Sequence, residues 1–340
     1  MKRFLSPFWL FLPILPLVFL TACRHSGGRV LEIAYISAVQ ANLRDHVAAV
    51  YEKAGVVKNG ERVEVLDHDR RFVKVRTTTG AMGWIEQRYL VGQEIYDQIQ
   101  KLTSDHQKDP VQAQGTTRND TNLHVEPGRD TEHLYQILSG EKLALLKRGT
   151  AEKPGSVAPA PRSASGGKPQ DKQPVAVIED WWLVRDSHNR VGWVLSRMVD
   201  LDVPLDVAQY AEGQRIVAFF VLDQVQDGDK KVPQYLTVLT ESKDGLPFDF
   251  NQIRVFTWNV KHHRYETAYR ERMEGVLPVT VSQENFDKEG VLPVFVARVQ
   301  DDSGKVIERK YKLNTPIVRR VLAPGEEPVR SVSRKSKRPR

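Results

Sequence analysis

One thiol is available for chemistry. Cys23 is the only cysteine in 340 residues, so no intramolecular disulfide can form and a cysteine–histidine nucleophile would have to use this residue. Its setting points elsewhere: it closes an N-terminal segment whose composition belongs to export. His262-His263 is the tempting metal pair, but adjacent strand residues point to opposite faces, and the flanking Lys261 and Arg264 read as a solvated strand end. Asp227-Gly228-Asp229 and Asp301-Asp302 suit turns, since neither continues into a calcium loop with a terminal glutamate. The sequence holds no His-Glu-x-x-His, Gly-x-Ser-x-Gly or phosphate-cradling glycine loop. The expectation is therefore no metal, no cofactor and no catalytic residue. Aromatic side chains, which can stack on a ligand while offering a polar edge, remain as candidate contacts: Tyr51, Trp84, Tyr89, Trp181 and Trp193.

Residues 1–23 carry the parts of a secretory leader in order. Lys2 and Arg3 give a positive start, residues 4–20 are apolar but broken by Pro7, Pro13 and Pro16, and Leu20-Thr21-Ala22-Cys23 ends the segment. The run falls short of the roughly 20 residues that span a bilayer core, and its prolines interrupt a helix. Leu-Thr-Ala-Cys resembles the lipobox of bacterial lipoproteins. The resemblance implies cleavage between Ala22 and Cys23, a diacylglycerol thioether on Cys23 and acylation of the new amino terminus. Several acyl chains anchor stably where one is marginal. Arg24 in place of aspartate implies, in a double-membraned envelope, the outer membrane facing the periplasm.

The net charge of +7 lies at the ends. Lys2 and Arg3 sit in the leader and six further cations sit in Val329–Arg340, so residues 4–328 sum to −1. A nucleic-acid surface needs a basic folded face, and none is expected. The tail from 323 reads as a solvated, disordered end. With 40% apolar and 27% charged residues the rest reads as folded domains.

The body contains a duplication. Asn42-Leu43-Arg44 and Gly60-Glu61-Arg62-Val63 return as Asn122-Leu123-His124 and Gly140-Glu141-Lys142-Leu143, displaced by 80. Phe72-Val73-Lys74-Val75 and Gly83-Trp84-Ile85 return as Trp181-Trp182-Leu183-Val184 and Gly192-Trp193-Val194, displaced by 109. The difference places a 29-residue insertion in the second copy. Residues 148–174, rich in proline, alanine, serine and glycine, are expected to form that insertion as a disordered loop. Alternating apolar positions within each copy predict short strands.

Asn-Leu-Arg, Gly-Glu-x-Val-x-Val-Leu, an aromatic before Val-x-Val, Gly-Trp-Ile and Tyr89-Leu90 together resemble the bacterial SH3 family. The resemblance implies two small barrels, over 32–91 and 118–200, that bind peptides, often of cell-wall peptidoglycan. The first copy has Asp45-His46-Val47 where a proline is usual, and the second has His124 for the arginine. Ile95, Ile99 and Leu102 are spaced for an amphipathic helix in a linker over 92–117.

Residues 205–322 are β-rich and match no named family. Glu274-Gly275-Val276-Leu277-Pro278-Val279 recurs as Glu289-Gly290-Val291-Leu292-Pro293-Val294, which predicts two strands with equivalent opening turns. The fold class is mainly β: two SH3-like barrels joined by a short helix, then an antiparallel sandwich or barrel. The functional expectation is a membrane-anchored envelope lipoprotein that binds peptidoglycan or a protein partner without catalysis. The alternatives are that the barrels are spacers presenting 205–322, or that 205–322 holds an enzyme without a known motif.

Overall fold

The computed structural model describes residues 29–158, 175–301 and 303–322. The leader with Ala22 and Cys23, the middle of the insertion and the basic tail lie outside the described residues.

The first copy comprises β1 (Glu32–Ile36), β2 (Gln40–Arg44), β3 (Lys53–Lys58), β4 (Arg62–Asp69), β5 (Phe72–Thr77), β6 (Met82–Glu86) and β7 (Leu90–Gly92). They form one antiparallel sheet in the order β3-β2-β6-β5-β4-β1-β7. Val63, Val65, Val73, Val75 and Ile85 close its core with Ile36, Leu43 and Val57. The alternation seen in the sequence is thus the pleat of strands buried on one face.

Helix α1 (Gln93–Asp105) follows, with Ile99 fully buried. The second copy comprises β8 (Ala113–Thr117), β9 (Thr121–His124), β10 (His133–Ile137), β11 (Lys142–Ala158), β12 (Val175–Asp186), β13 (Val191–Leu195) and β14 (Val199–Leu201). Their order, β10-β9-β13-β12-β11-β8-β14, repeats that of the first copy strand for strand.

Two boundaries differ from expectation. The linker was expected to run to 117, yet Ala113–Thr117 is a strand that pairs with both β11 and β14. Its inward residues are small, so apolar alternation is weak there. A Cβ on Gly115 would lie 2.7 Å from Val199 Cγ1, and larger residues have no room. The insertion was expected to be disordered from 148, yet β11 and β12 continue as a paired hairpin from Arg148↔Trp182 out to Ala158↔Val175. Polar and small residues pair there because backbone bonds, not side-chain burial, carry the hairpin.

After α2 (Leu205–Ala208) the chain forms β15 (Arg215–Asp227), β16 (Lys230–Thr240), β17 (Phe250–Asn259), β18 (Arg264–Asn285), β19 (Val291–Gln300), β20 (Val306–Asn314) and β21 (Ile317–Val321). Each strand pairs with the next in one seven-stranded meander, and β15 and β21 stand at its two ends. The region is antiparallel β as expected, but it is a single open sheet and not a sandwich or closed barrel. Its apolar face (Leu236, Val238, Val255, Phe295 and Tyr311) belongs to the same buried cluster as Leu123, Leu145 and Trp182 of the second copy. A second sheet is therefore not needed to cover it. The repeated Gly-Val-Leu-Pro-Val segments are also not equivalent. The later one opens β19, whereas the earlier one lies inside β18, where the register to β19 shifts between Val276 and Thr280. Such a shift removes the ladder bonds that Pro278 could not make.

The three sheets are joined by buried and half-buried polar residues. The Asn59 amide donates to Ser37 O at 3.0 Å and to Leu134 O at 2.8 Å, and its oxygen accepts from Gln136 N at 3.1 Å. Tyr35 stacks on Tyr96 of α1 at 4.1 Å. Between the second copy and the third sheet, the fully buried Gln112 accepts from Val279 N at 2.8 Å through its side chain and from Phe219 N at 2.8 Å through its carbonyl. Asp180, 3% exposed, accepts from Arg148 at 2.7 Å, Arg215 at 3.0 Å and Gly245 N at 2.9 Å. Arg148 also donates to Asp249 and to the carbonyls of Leu246 and Phe248. Buried charges persist only when paired and hydrogen-bonded, and Asp180 meets that requirement through Arg148, Arg215 and the Gly245 amide.

Candidate functional site

The candidate aromatics of the first copy are linked through charged neighbours. The sequence marks Arg44 only as part of the repeated Asn-Leu-Arg motif, but at the end of β2 its guanidinium lies 4.3 Å from the Tyr51 ring centroid and 4.8 Å from that of Phe72. Arg44 stands opposite Trp84 across β2 and β6, and Lys74 Nζ lies 6.0 Å over the Trp84 ring. Glu86 then connects Arg44 at 3.5 Å to Arg88 at 2.9 Å. Arg88 covers Tyr89 at 4.8 Å and donates to its hydroxyl at 2.8 Å. Tyr51, Trp84 and Tyr89 are each half-buried, and each ring carries a cation over it.

Beside this row lies a groove of about 510 Å³, bounded by Val47 to Ala49 on one side and by Arg70, Arg71 and Phe72 on the other, with Arg44. The loop Asp45–Glu52 that forms the first wall is closed by Asp45 Oδ1, which accepts from Glu52 N at 2.8 Å. Arg70 takes a left-handed backbone conformation, φ 54°, which turns the chain from β4 into β5. Arginine–aromatic stacking holds guanidinium groups in place. The groove can therefore accept hydrogen-bonding, negatively polarised groups against an apolar wall. Sequence reasoning missed Arg44, Arg70, Arg71 and Phe72. The available signal was charge reversal between the copies, Arg70-Arg71-Phe72 against Glu179-Asp180-Trp181.

In the second copy the candidate residues are not exposed. Trp181 and Trp193 are 2% and 9% exposed and belong to a cluster with Leu146, Leu183, Val191 and Leu195, beneath Leu102 of α1 and Val111. The apolar residues at Leu183 and Leu195 make this face a docking surface for the chain's own helix, so the two tryptophans act first as packing. Trp193 fits against Gly149, where a Cβ would lie 2.6 Å from the indole. A second cavity of about 400 Å³ is lined by Asn122, His124, His133, Trp181, Arg129 and Arg197, among others. His124 Nδ1 lies 3.1 Å from Thr131 O, and the Trp181 edge packs at 5.3 Å and 78°. Burial pushes the His124 pKa down, favouring the neutral ring. Arg129 binds Glu179 with two bonds of 2.6 Å, and these hold the Glu179 carboxyl below the usual range.

On the third sheet, His262 and His263 sit at the turn between β17 and β18 and pair separately with Glu266 at 3.3 Å and Asp227 at 2.8 Å. Tyr269 and Tyr311 both donate to Glu271 Oε2, at 2.6 and 2.8 Å. Burial, with the carboxylate, drives both phenols up. That cluster consumes its own donors and acceptors. Among the described residues no group of three or more histidine, cysteine, aspartate or glutamate side chains could hold a metal ion. No helix among them is long and apolar enough to cross a membrane.

The groove and its aromatic row lie within a stretch that other proteins share. Residues 39–91 match the bacterial SH3 domain family. That bacterial SH3 stretch takes in β2 to β6 with all of Arg44, Tyr51, Arg70, Phe72, Trp84 and Tyr89. No curated protein matches the chain. Among solved structures, similarity is found to an NlpC/P60 family protein from Bacillus cereus ATCC 10987, at 11% identity over 84% of this chain and 95% of that one, with a TM-score of 0.23. NlpC2 from Trichomonas vaginalis is similar at 10% identity over 85% of this chain and 95% of that one, with a TM-score of 0.17.

Proposed function

We propose that this chain is a non-catalytic envelope lipoprotein, held to the outer membrane by lipid on Cys23, whose first SH3-like copy binds cell-wall peptidoglycan. The observation that carries the reading is the coincidence of the bacterial SH3 match over 39–91 with an open groove built from Arg44, Phe72 and the Asp45–Glu52 loop. A groove of this size with an apolar wall and a few fixed polar groups suits a peptide. The identical strand order of the second copy supports reading it as a further SH3-like module, and the burial of Trp181 and Trp193 favours a spacer role for it. The absence of catalysis is supported by the single cysteine, whose place in the leader commits it to lipid.

The test is co-sedimentation of the protein from Arg24 onward, without its leader, with purified cell-wall sacculi. Binding is expected, and Arg44→Ala with Phe72→Ala is expected to release it. Retention of full binding by that double variant assigns the wall contact elsewhere, and no sedimentation of the wild type ends the wall reading. Incorporation of labelled palmitate that survives Cys23→Ala would remove the anchor.

A further inference from the structure

The two copies place opposite charges at one position of the same groove. By the spacing that aligns their cores, Arg70 and Arg71 stand where the second copy has Glu179 and Asp180, and Ala49 stands where it has Arg129. The three-dimensional structure keeps this correspondence in the flanking loop and strand, although Arg70 and Arg71 form the turn between β4 and β5 whereas Glu179 and Asp180 lie inside the longer β12. The loops after β2 and β9 close with equivalent bonds, Asp45 N to Glu52 O at 3.1 Å and Val125 N to Glu132 O at 3.0 Å. Phe72 pairs with Glu86 as Trp181 pairs with Leu195.

In the second copy the loop residue Arg129 reaches across to Glu179, which is 6% exposed, and grips it with two bonds of 2.6 Å. The chain fills that cleft with its own guanidinium–carboxylate fork. In the first copy the loop offers Ala49, and the opposite wall offers two exposed arginines that form no ion pair among the described residues. No acidic side chain lines the groove. Arg44 is already fixed between Tyr51 and Phe72, so a ligand need not order it. Its single acidic neighbour, Glu86, lies 3.5 Å away and is shared with Arg88.

The geometry points to a carboxylate site: the groove of the first copy takes the carboxyl group of an incoming peptide where the second copy supplies its own. Val47, Ala48 and Ala49 give the rest of that peptide an apolar wall, which a bare phosphate would not use. The inference rests on the reading of the first copy as the binding module and adds the chemical class that it selects.

Calorimetry with acetyl-hexaglutamate amide, at an ionic strength of about 0.15 M where distant surface charges are screened, tests it. Saturable binding is expected for hexaglutamate and none for hexaglutamine. Arg70→Ala with Arg71→Ala is expected to weaken it at least about tenfold. Lys243→Ala with Lys288→Ala, which removes the same charge from exposed loop positions beside the third sheet, should leave it unchanged. Ala49→Arg with Arg70→Glu installs the fork of the second copy and should abolish binding with thermal stability retained. No binding of hexaglutamate, equal binding of hexaglutamine, equal loss in the lysine variant, or tighter binding of a polyphosphate of equal charge each overturns the site. Sacculi whose carboxyl groups are capped as methylamides separate the two readings. Undiminished sedimentation with capped sacculi sinks the carboxylate site and leaves wall binding. Hexaglutamate binding without sedimentation on native sacculi does the reverse.

Discussion

The outer face of β5 and β6 and the outer face of β12 and β13 occupy the same place in two copies of one topology, yet they have opposite surroundings. In the first copy Lys74, Trp84 and Glu86 are half-buried and face water. In the second, Leu183, Trp193 and Leu195 at the matching positions are buried. The cover is the chain itself: Thr103 Oγ1 accepts from Val191 N at 3.0 Å, and Arg185 donates to His106 O at 2.9 Å. Conversion of two charged positions to leucine lets the end of α1 settle there, with the burial of each leucine worth about 2 kcal/mol. One topology thus serves as an open surface in one copy and as an internal support in the other.

The comparison breaks most readily at Asp180. Asp180→Ala leaves Arg148 buried without its main partner, and a loss of about 3–5 kcal/mol in urea-denaturation stability is expected. Arg71→Ala at the matching position should stay within about 0.5 kcal/mol. The tryptophans form the next pair. Trp193→Ala is expected to cost about 3–5 kcal/mol and Trp84→Ala about 1 kcal/mol. Equal costs in the same assay would erase the distinction between covered and open faces.

Glu179→Gln is expected to cost about 1–3 kcal/mol, because it leaves Arg129 facing an uncharged amide. The Glu179 carboxyl sits below its ordinary pKa, so its contribution is present above the unfolded value and is lost as pH falls through the folded one. The smallest effect belongs to His124, whose pKa burial lowers. The unfolded chain takes up that proton first, so stability falls as pH drops below about 6.5. Chemical denaturation at several pH values should show His124→Gln with a flatter acid slope than the wild type. An unchanged slope would remove His124 from the account.

The duplication and the β class were legible because Gly60-Glu61 and Gly83-Trp84 mark turns and strand pairs that the second copy repeats. The start of the second copy was not, since Ala113–Thr117 buries small side chains that carry little hydropathy signal. The base of the insertion was misread for a related reason: Lys153 and Gly155 follow no apolar alternation, and cross-strand backbone bonds hold that hairpin. For the site, residue type alone pointed to Trp84 and Trp193 alike. Only the neighbours at Lys74 and Leu183 separate them, and their meaning depends on a helix from elsewhere in the chain. Arg44 and Arg70-Arg71 were hidden because exposed arginines are common, and their convergence arises only when β2 and the turn before β5 meet.

Asn59, Gln112 and Asp180 belong to the junctions more than to any one sheet, and each bonds backbone on the far side. A load applied at the groove is therefore carried as tension through short polar links into the second sheet and on into β18. The molecule should respond to pulling as a stiff bar, with its first yield at a junction and not within a strand ladder.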